Sequence, residues 1–301
     1  MSGRRVKALL DAAVGAAAVA LLGAVARTDR RRTANLAGAF MRKVGPFLPE
    51  HRLGRENLRA AYPEKFAAEI EQILAGVWDN LGRIAVEFAH LDEFRVESSG
   101  PVLGNSLTAS PESIERAARI RASGKPVIAF AAHLANWEIA AVVAKSLGFH
   151  SAVLYRRPNI GAIGDVVTRL RQPLMGQLVS TGLDAPVKLA RLLRSGVHVG
   201  VLADQHFTKG VDITFFGRPC KANQLIALLA RQTGAAIHGM RAVRLPDGNS
   251  FWGEITDEIE PVRDADGGID IVGTMQAINT VIEGWVREHP EQWLWLHRRW
   301  R

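Results

Sequence analysis

The chain has 301 residues, of which 48% are hydrophobic and 23% charged, so it can bury a full-sized core and is not intrinsically disordered. Its 38 lysines and arginines outnumber its 30 aspartates and glutamates, which indicates anionic partners such as nucleic acid, lipid headgroups or a phosphorylated substrate. The single cysteine, Cys220, excludes an intramolecular disulfide and a Cys-rich zinc site, and fits a cytoplasmic protein.

The first predicted element is an apolar helix near the N-terminus. Residues 12–26 carry no polar side chain and have basic residues on both flanks. As a helix they span about 22 Å, less than the roughly 30 Å of a hydrocarbon core, so we predict an anchor seated in or on the bilayer, with its basic flanks near lipid phosphates. A secretory signal peptide is an alternative, because Ala24-Val25-Ala26 resembles a cleavage site. A buried helix of a soluble core is another.

The next region, residues 33–95, is predicted to be helical. Apolar residues recur there at three- and four-residue spacing, as in Ile70, Ile73, Leu74 and Val77. Residues 96–122 begin with a strand-like stretch and continue with a helix, for which Ser110 is the predicted N-cap.

After Gly124, short apolar runs alternate with helical stretches. The runs occupy residues 126–132, 151–155, 197–203 and 235–243. Such runs are typical of buried parallel strands, so we predict an α/β fold with a mainly parallel sheet flanked by helices. Residues 251–260 are predicted to form an edge strand, and 272–288 a long helix. The predicted organisation is an anchor with its basic flank (1–32), a helical region (33–95) and one α/β domain (96–301).

The strongest candidate for chemistry is His133, which follows the first buried strand. In an open α/β sheet, ligands bind beyond the carboxyl ends of the strands. Glu138 lies five positions later and can reach His133 if the histidine occupies the turn before the next helix. We then expect Glu138 to orient the imidazole and His133 to act as a general base. The alternative is a structural histidine at the end of a strand, because the spacing alone is weakly specific.

Several sequence blocks resemble a known family. They are Asn57-Leu58 through Tyr62-Pro63, Trp78-Asp79-Asn80-Leu81-Gly82-Arg83, His133 to Glu138, Tyr155-Arg156, Ala203-Asp204-Gln205, Phe215-Phe216-Gly217 and Pro290 through Arg299. With the apolar N-terminus, they make the chain similar to the lipid A biosynthesis acyltransferases of the late, lauroyl or myristoyl type. That resemblance implies a glycerolipid-acyltransferase-like fold with a catalytic dyad at His133 and Glu138. Related enzymes that acylate glycerol phosphate usually have Asp at the acidic position and a Phe-Pro-Glu-Gly block, both of which are missing here.

The remaining candidates are mainly basic. Arg156 and Arg157 follow the 151–155 strand and are predicted to bind a substrate phosphate or to polarise the thioester carbonyl; the alternative is a solvated pair. Asp204 matches the family's Asp and is predicted to belong to the active-site network, with a helix or turn cap as its alternative. Arg169 is predicted to contribute to a basic surface for substrate binding, together with Arg171, Lys209 and Lys221.

The C-terminal residues 293–301 alternate aromatic and cationic side chains, which predicts packing on the domain and contact with a membrane interface. No signature of a nucleic-acid-binding fold accompanies them, so we expect no nucleic acid partner. No His-Glu-x-x-His or paired-cysteine spacing occurs, so we expect no metal, and we expect no cofactor.

The resemblance implies an acyltransferase at the cytoplasmic face of the inner membrane. Its donor would be an acyl carrier protein thioester, and its acceptor a hydroxyl of an anionic glycolipid, the lipid A precursor. Two alternatives stay open: acyl-CoA-dependent acylation of a mannosylated phospholipid, and a non-catalytic lipid-binding membrane protein.

Overall fold

The computed structural model describes residues 3–95, 102–104, 106–156 and 161–300. Its N-terminal third is helical, as predicted. The helices are α1 (Gly3–Val25), α2 (Arg30–Val44), α3 (Pro49–Ala61) and α4 (Ala67–Glu87), with 3-10 turns at Gly45–Phe47 and Phe88–Phe94. Within this described part of the chain, no helix is both long and apolar enough to cross a membrane.

Helices α2 and α4 pack closely because small residues line their contact. A Cβ atom on Gly82 would lie 2.5 Å from the carbonyl oxygen of Ala37, so only glycine permits this approach. The start of α2 is fixed by Asp29, whose side chain accepts a hydrogen bond from the backbone N–H of Arg32. The helical region therefore has a defined packing and contributes residues to the site described below.

The rest of the chain alternates strands and helices. The strands are β1 (Val102–Gly104), β2 (Leu107–Ala109), β3 (Val127–Ala131), β4 (Ser151–Tyr155), β5 (Gln177–Ser180), β6 (His198–Leu202), β7 (His206–Phe215), β8 (Arg218–Ala222), β9 (Ala236–Arg244) and β10 (Phe251–Glu258). The helices are α5 (Pro111–Ser123), α6 (Ile139–Ser146), α7 (Gly161–Met175), α8 (Ala185–Arg194), α9 (Leu225–Thr233) and α10 (Ile271–Glu288). A 3-10 turn at Pro290–Gln292 precedes the C-terminal segment.

Eight of the described strands form one sheet in the order β1-β2-β10-β9-β3-β6-β4-β5, and β7 and β8 form a separate hairpin. The four apolar runs predicted as buried strands became β3, β4, β6 and β9, which are neighbours and pair in parallel. This confirms an α/β fold with a mainly parallel sheet flanked by helices. Ser110 caps α5 as predicted, because its hydroxyl accepts a hydrogen bond from the backbone N–H of Ser113.

The prediction of an edge strand at 251–260 is wrong. Strand β10 pairs antiparallel with β9 on one side and parallel with β2 on the other. The hairpin of β1 and β2 lies beyond β10, with β2 as its neighbour. Each of these two strands has only three residues, which is too short for the alternation of polar and apolar side chains to be recognised in the sequence. Part of the strand-like stretch at 96–122, residues 96–101, lies outside the described residues.

The parallel register determines where the site lies. Because β3, β4 and β6 run in the same direction, the residues that follow them gather at one edge of the sheet. These residues include His133 after β3, Arg156 after β4 and Asp204 after β6.

Candidate active site

The loop that carries His133 joins β3 to α6 and is held by the C-terminal segment. The carbonyl oxygen of His133 accepts a hydrogen bond from the backbone N–H of Leu294 at 3.0 Å, and the backbone N–H of Ala135 donates to Gln292 O at 2.9 Å. Ala135 has φ of +45°, a left-handed conformation that costs a non-glycine residue roughly 1–2 kcal/mol. These contacts hold the strained turn in place, so His133 sits before α6 and not within it.

His133 is paired with Asp204. Nδ1 of the imidazole lies 2.8 Å from Oδ1 of Asp204, and the backbone N–H of His133 donates to Oδ2 at 2.8 Å. The indole N–H of Trp293 also donates to Oδ2, at 2.7 Å. Asp204 is fully buried, and these three donors satisfy its carboxylate. These contacts place Asp204 directly against His133, in the predicted site.

Both groups have shifted pKa values. Burial by itself lowers the pKa of His133, but the Asp204 charge and hydrogen bond outweigh it, so the pKa lies above its usual value. Burial by itself would raise the pKa of Asp204, but the interaction with His133 holds it well below its usual range. A carboxylate that stays ionised accepts a hydrogen bond from the Nδ1–H group, so in the neutral ring the other nitrogen, Nε2, is the one that can accept a proton.

The surroundings of Nε2 leave it partly accessible. The His133 side chain is 13% exposed, and the side-chain amide of Gln205 lies 3.4 Å from Nε2. The Trp137 ring meets the imidazole edge-on, with the ring centroids 4.9 Å apart. The His133 imidazole is therefore held in one orientation, while its Nε2 atom stays accessible to a substrate.

Glu138 does not make the predicted contact with the imidazole, because its carboxylate forms a two-pronged ion pair with Arg171 on α7. Nε of Arg171 lies 2.9 Å from Oε2, and the indole N–H of Trp137 donates to Oε1 at 3.1 Å. Asp204, and not Glu138, occupies the orienting position at Nδ1. Glu138 is close enough for its charge to raise the pKa of His133, but a catalytic role for it stays a prediction.

A network of buried polar side chains holds the loop between β3 and α6 in place. The side-chain amide of Asn136 donates to Glu87 at 3.0 Å, and its oxygen accepts a hydrogen bond from the backbone N–H of Glu138 at 3.2 Å. Glu87 is fully buried and pairs with Arg244 of β9 through both carboxylate oxygens. Asn80 of α4 donates to the carbonyl oxygen of Ala135.

The sequence pattern alone does not predict that this network belongs to the site. The signals that could have found it are Glu87, a carboxylate on an apolar helix face, and Asn80, which lies in one of the family-like blocks.

The other predicted residues fall in different places. Arg156 is exposed at the same sheet edge and lines the cavity described next. Arg157 lies outside the described residues. Arg169 is exposed on α7 and does not line that cavity, whereas Arg171, two residues later, does.

The predicted membrane contact of the C-terminal segment is wrong for three of its residues. Trp293, Trp295 and Arg299 are 0% exposed. The indole groups of Trp293 and Trp295 pack in the core, and Arg299 donates to Asn279 and to the carbonyl oxygen of Lys221. The two tryptophans and Arg299 are therefore internal, whereas the neighbouring Arg298 is exposed.

An apolar cavity of about 800 Å³ extends from His133 along the sheet. Small and apolar side chains of β3, β4, α5 and α6 line much of it. They include Val127, Ala129, Ala131, Val153, Ile114, Ala117, Val143 and Ala144. His133, Trp137 and Glu138 belong to the same lining. The cavity therefore offers an extended, mainly apolar space beside the imidazole that suits a hydrocarbon group.

Comparison with protein families identifies a similarity over nearly the whole chain. Residues 4–301 match the protein family described as bacterial lipid A biosynthesis acyltransferase. Comparison with curated proteins finds no match.

Proposed function

The chain belongs to the bacterial lipid A biosynthesis acyltransferase family and is an acyltransferase, and we propose that it transfers a fatty acyl chain from acyl carrier protein to a hydroxyl of a lipid A precursor. The observation that carries this proposal is the His133–Asp204 pair beside an apolar cavity. A general base next to a hydrocarbon site is what acyl transfer to an alcohol requires.

The reaction follows from this arrangement. Nε2 of His133 takes the proton of the acceptor hydroxyl as the oxygen attacks the thioester carbonyl carbon. The carbon–oxygen bond forms, the carbon–sulfur bond breaks, and the proton passes from His133 to the departing thiolate. Asp204 holds the imidazole and stabilises its charged form.

The negative charge that develops on the thioester oxygen needs a hydrogen-bond donor to stabilise it. Arg156 and the backbone N–H groups at the start of α6 are the candidates at this sheet edge. No protein nucleophile is required, because the acceptor oxygen itself attacks.

The donor's acyl chain occupies the apolar cavity. Along β3, Val127, Ala129 and Ala131 line the cavity, whereas Ile128 is fully buried in the core and does not line it. Small residues on that side leave room for a chain lying against the sheet. The thioester carbonyl then reaches the end of β3, where His133 lies.

An exposed apolar surface on the helical region supports a lipid acceptor. Leu36, Phe40 and Phe47 are 72%, 61% and 86% exposed, and the cationic Arg32 and Lys43 lie on the same face of α2. Apolar side chains flanked by cations bind an anionic bilayer surface. We propose that this face, with the anchor predicted in residues 1–32, holds the domain of residues 96–301 at the cytoplasmic face of the inner membrane.

The test is acyl transfer in vitro. Purified full-length protein is given acyl–acyl carrier protein and a tetraacylated lipid A precursor, and His133→Ala serves as the comparison. Wild type should form the product, and the variant should lose most of the rate while staying folded. Equal rates would refute His133 as the base. Transfer only from acyl-CoA, or only to a mannosylated phospholipid, would replace the proposed substrates.

A further inference from the structure

A second cavity adjoins the apolar one at the edge of the sheet. It is an open polar cleft of about 1000 Å³ between the start of α3, the residues after β6 and the C-terminal segment. Arg156, Gln205 and His206 line both cavities. The Gln205 amide, 3.4 Å from Nε2 of His133, therefore stands between the reacting base and the polar cleft.

The cleft has an excess of positive charge. Its ionised lining consists of Arg52, Arg156, Arg298, Glu50 and Glu56. Arg52 is paired with Glu56 on its own helix, with Nε 2.9 Å from the carboxylate. Arg156 and Arg298 are exposed, and neither forms an ion pair with a carboxylate in the part of the chain that the structure describes. The guanidinium groups of Arg156 and Arg298 are thus available to bind an anion, and the only other unpaired charge in the described lining is the carboxylate of Glu50.

The half-buried His297 gives an independent indication of a ligand. Nδ1 of His297 lies 2.5 Å from the carbonyl oxygen of Leu294, and since a carbonyl only accepts, Nδ1 carries the proton. Burial lowers the pKa of His297, so the ring is neutral at pH 7 and Nε2 is an acceptor. Nε2 is buried and has no hydrogen-bond partner among the described residues, although His297 lines the cleft. An unpartnered buried acceptor is costly, and a ligand hydroxyl would satisfy it.

We propose that this polar cleft binds the phosphorylated headgroup of the acceptor lipid, with Arg156 and Arg298 on a phosphate and His297 accepting a hydrogen bond from a headgroup hydroxyl. The assignment rests on the proposed function and extends it to the acceptor. Guanidinium groups bind phosphate oxygens through paired, charge-assisted hydrogen bonds. The apolar cavity takes the acyl chain of the donor, so the acceptor oxygen approaches Nε2 from the adjoining polar side.

The test separates the two substrates kinetically. Acyl transfer is measured with the full chain while either the bis-phosphorylated acceptor or acyl–acyl carrier protein is varied. Arg298→Gln should raise the KM for the phosphorylated acceptor about tenfold, with kcat and the donor KM nearly unchanged. Arg156→Gln should also raise this KM, and should lower kcat as well because Arg156 is a candidate oxyanion donor. Arg298→Lys should recover part of the loss caused by Arg298→Gln. Arg191→Gln, an exposed arginine of α8 away from both cavities, should behave as wild type.

A dephosphorylated acceptor gives the second comparison. With it, wild type and Arg298→Gln should have the same KM. The assignment would be overturned if Arg298→Gln raised the KM equally for the phosphorylated and the dephosphorylated acceptor. It would also be overturned if the variant raised the KM for acyl–acyl carrier protein instead. The second result would place the carrier's phosphopantetheine phosphate in the cleft.

Failure of the proposed function has a different outcome. If wild type forms no product, that function is refuted, and the cleft is tested by equilibrium binding of the phosphorylated and dephosphorylated lipids in mixed micelles. Arg298→Gln should then weaken only the binding of the phosphorylated lipid, and equal binding by wild type and variant would refute the cleft assignment.

Discussion

Asp204 lies 2.8 Å from Nδ1 of His133, although 71 residues separate the two in the chain. The same carboxylate accepts the indole N–H of Trp293, so three distant segments meet at one buried group. The orientation of the base therefore depends on contacts across the sheet edge and not on the local five-residue spacing to Glu138.

Replacement of Asp204 by asparagine should lower both kcat and the pKa of His133. The carboxylate raises that pKa, so without it burial dominates and the neutral imidazole persists to lower pH. The acid limb of the kcat profile should move to lower pH, and the plateau should fall by about 10²–10⁴-fold because the imidazolium loses its stabilising charge. A pH–rate profile measures both effects. An unchanged acid limb would exclude His133 as the group that titrates there.

Arg171→Gln should move the acid limb of the pH–rate profile to higher pH. The Arg171 charge lowers the pKa of His133, whereas the Glu138 charge that it pairs with raises it. Removing the guanidinium leaves Glu138 uncompensated, so the imidazole should hold its proton to higher pH. Arg169→Gln, exposed two residues earlier on α7, is the matched control and should leave the profile unchanged. A shift to lower pH would contradict the assigned geometry.

Arg244→Leu should destabilise the protein by about 3–5 kcal/mol, because it leaves the fully buried Glu87 carboxylate without its charged partner. Urea unfolding measures this change. The double replacement Glu87→Leu with Arg244→Leu should recover part of the loss, since no unpaired charge remains. Disrupting the exposed Asp184–Lys188 pair should change stability little. A small effect of Arg244→Leu alone would show that the network is not needed for folding.

Ala129→Phe should shift acyl selectivity toward shorter chains. Ala129 lines the apolar cavity on β3, and a ring there fills space that the end of a long chain would occupy. The measurement is the ratio of kcat/KM for long and short acyl donors, with Ala129→Ser as a control of similar size. Unchanged ratios would place the acyl chain outside this cavity.

Leu36→Glu combined with Phe40→Glu should weaken vesicle binding by at least about tenfold, because two exposed apolar side chains no longer enter the lipid surface. Flotation with anionic vesicles measures the bound fraction. Leu183→Glu with Val187→Glu is the control, since these apolar residues, which lie before and within α8, are at least as exposed. Equal losses in both variants would argue against a specific membrane face.

The local pattern determined most of the secondary structure and the position of the base. Four apolar runs specified the parallel strands, because fully buried strands have no polar alternation, and the helical periodicity of residues 33–95 specified α2 to α4. The position of His133 after β3 placed it at the carboxyl edge of the sheet. The family-like blocks indicated the acyltransferase family, to which the chain belongs.

Which charged groups pair depends on how the whole elements pack in the folded chain. Spacing placed Glu138 within reach of His133, but its carboxylate meets Arg171, and Asp204 arrives from β6. Trp293 and Arg299 are predicted to pack on the domain and to contact a membrane interface, but both are fully buried. The pattern does not show this, because the sequence carries no information on what packs over a side chain. The energy of an ion pair or hydrogen bond depends on distance and burial, and for residues far apart in the chain both are set by the packing of whole elements.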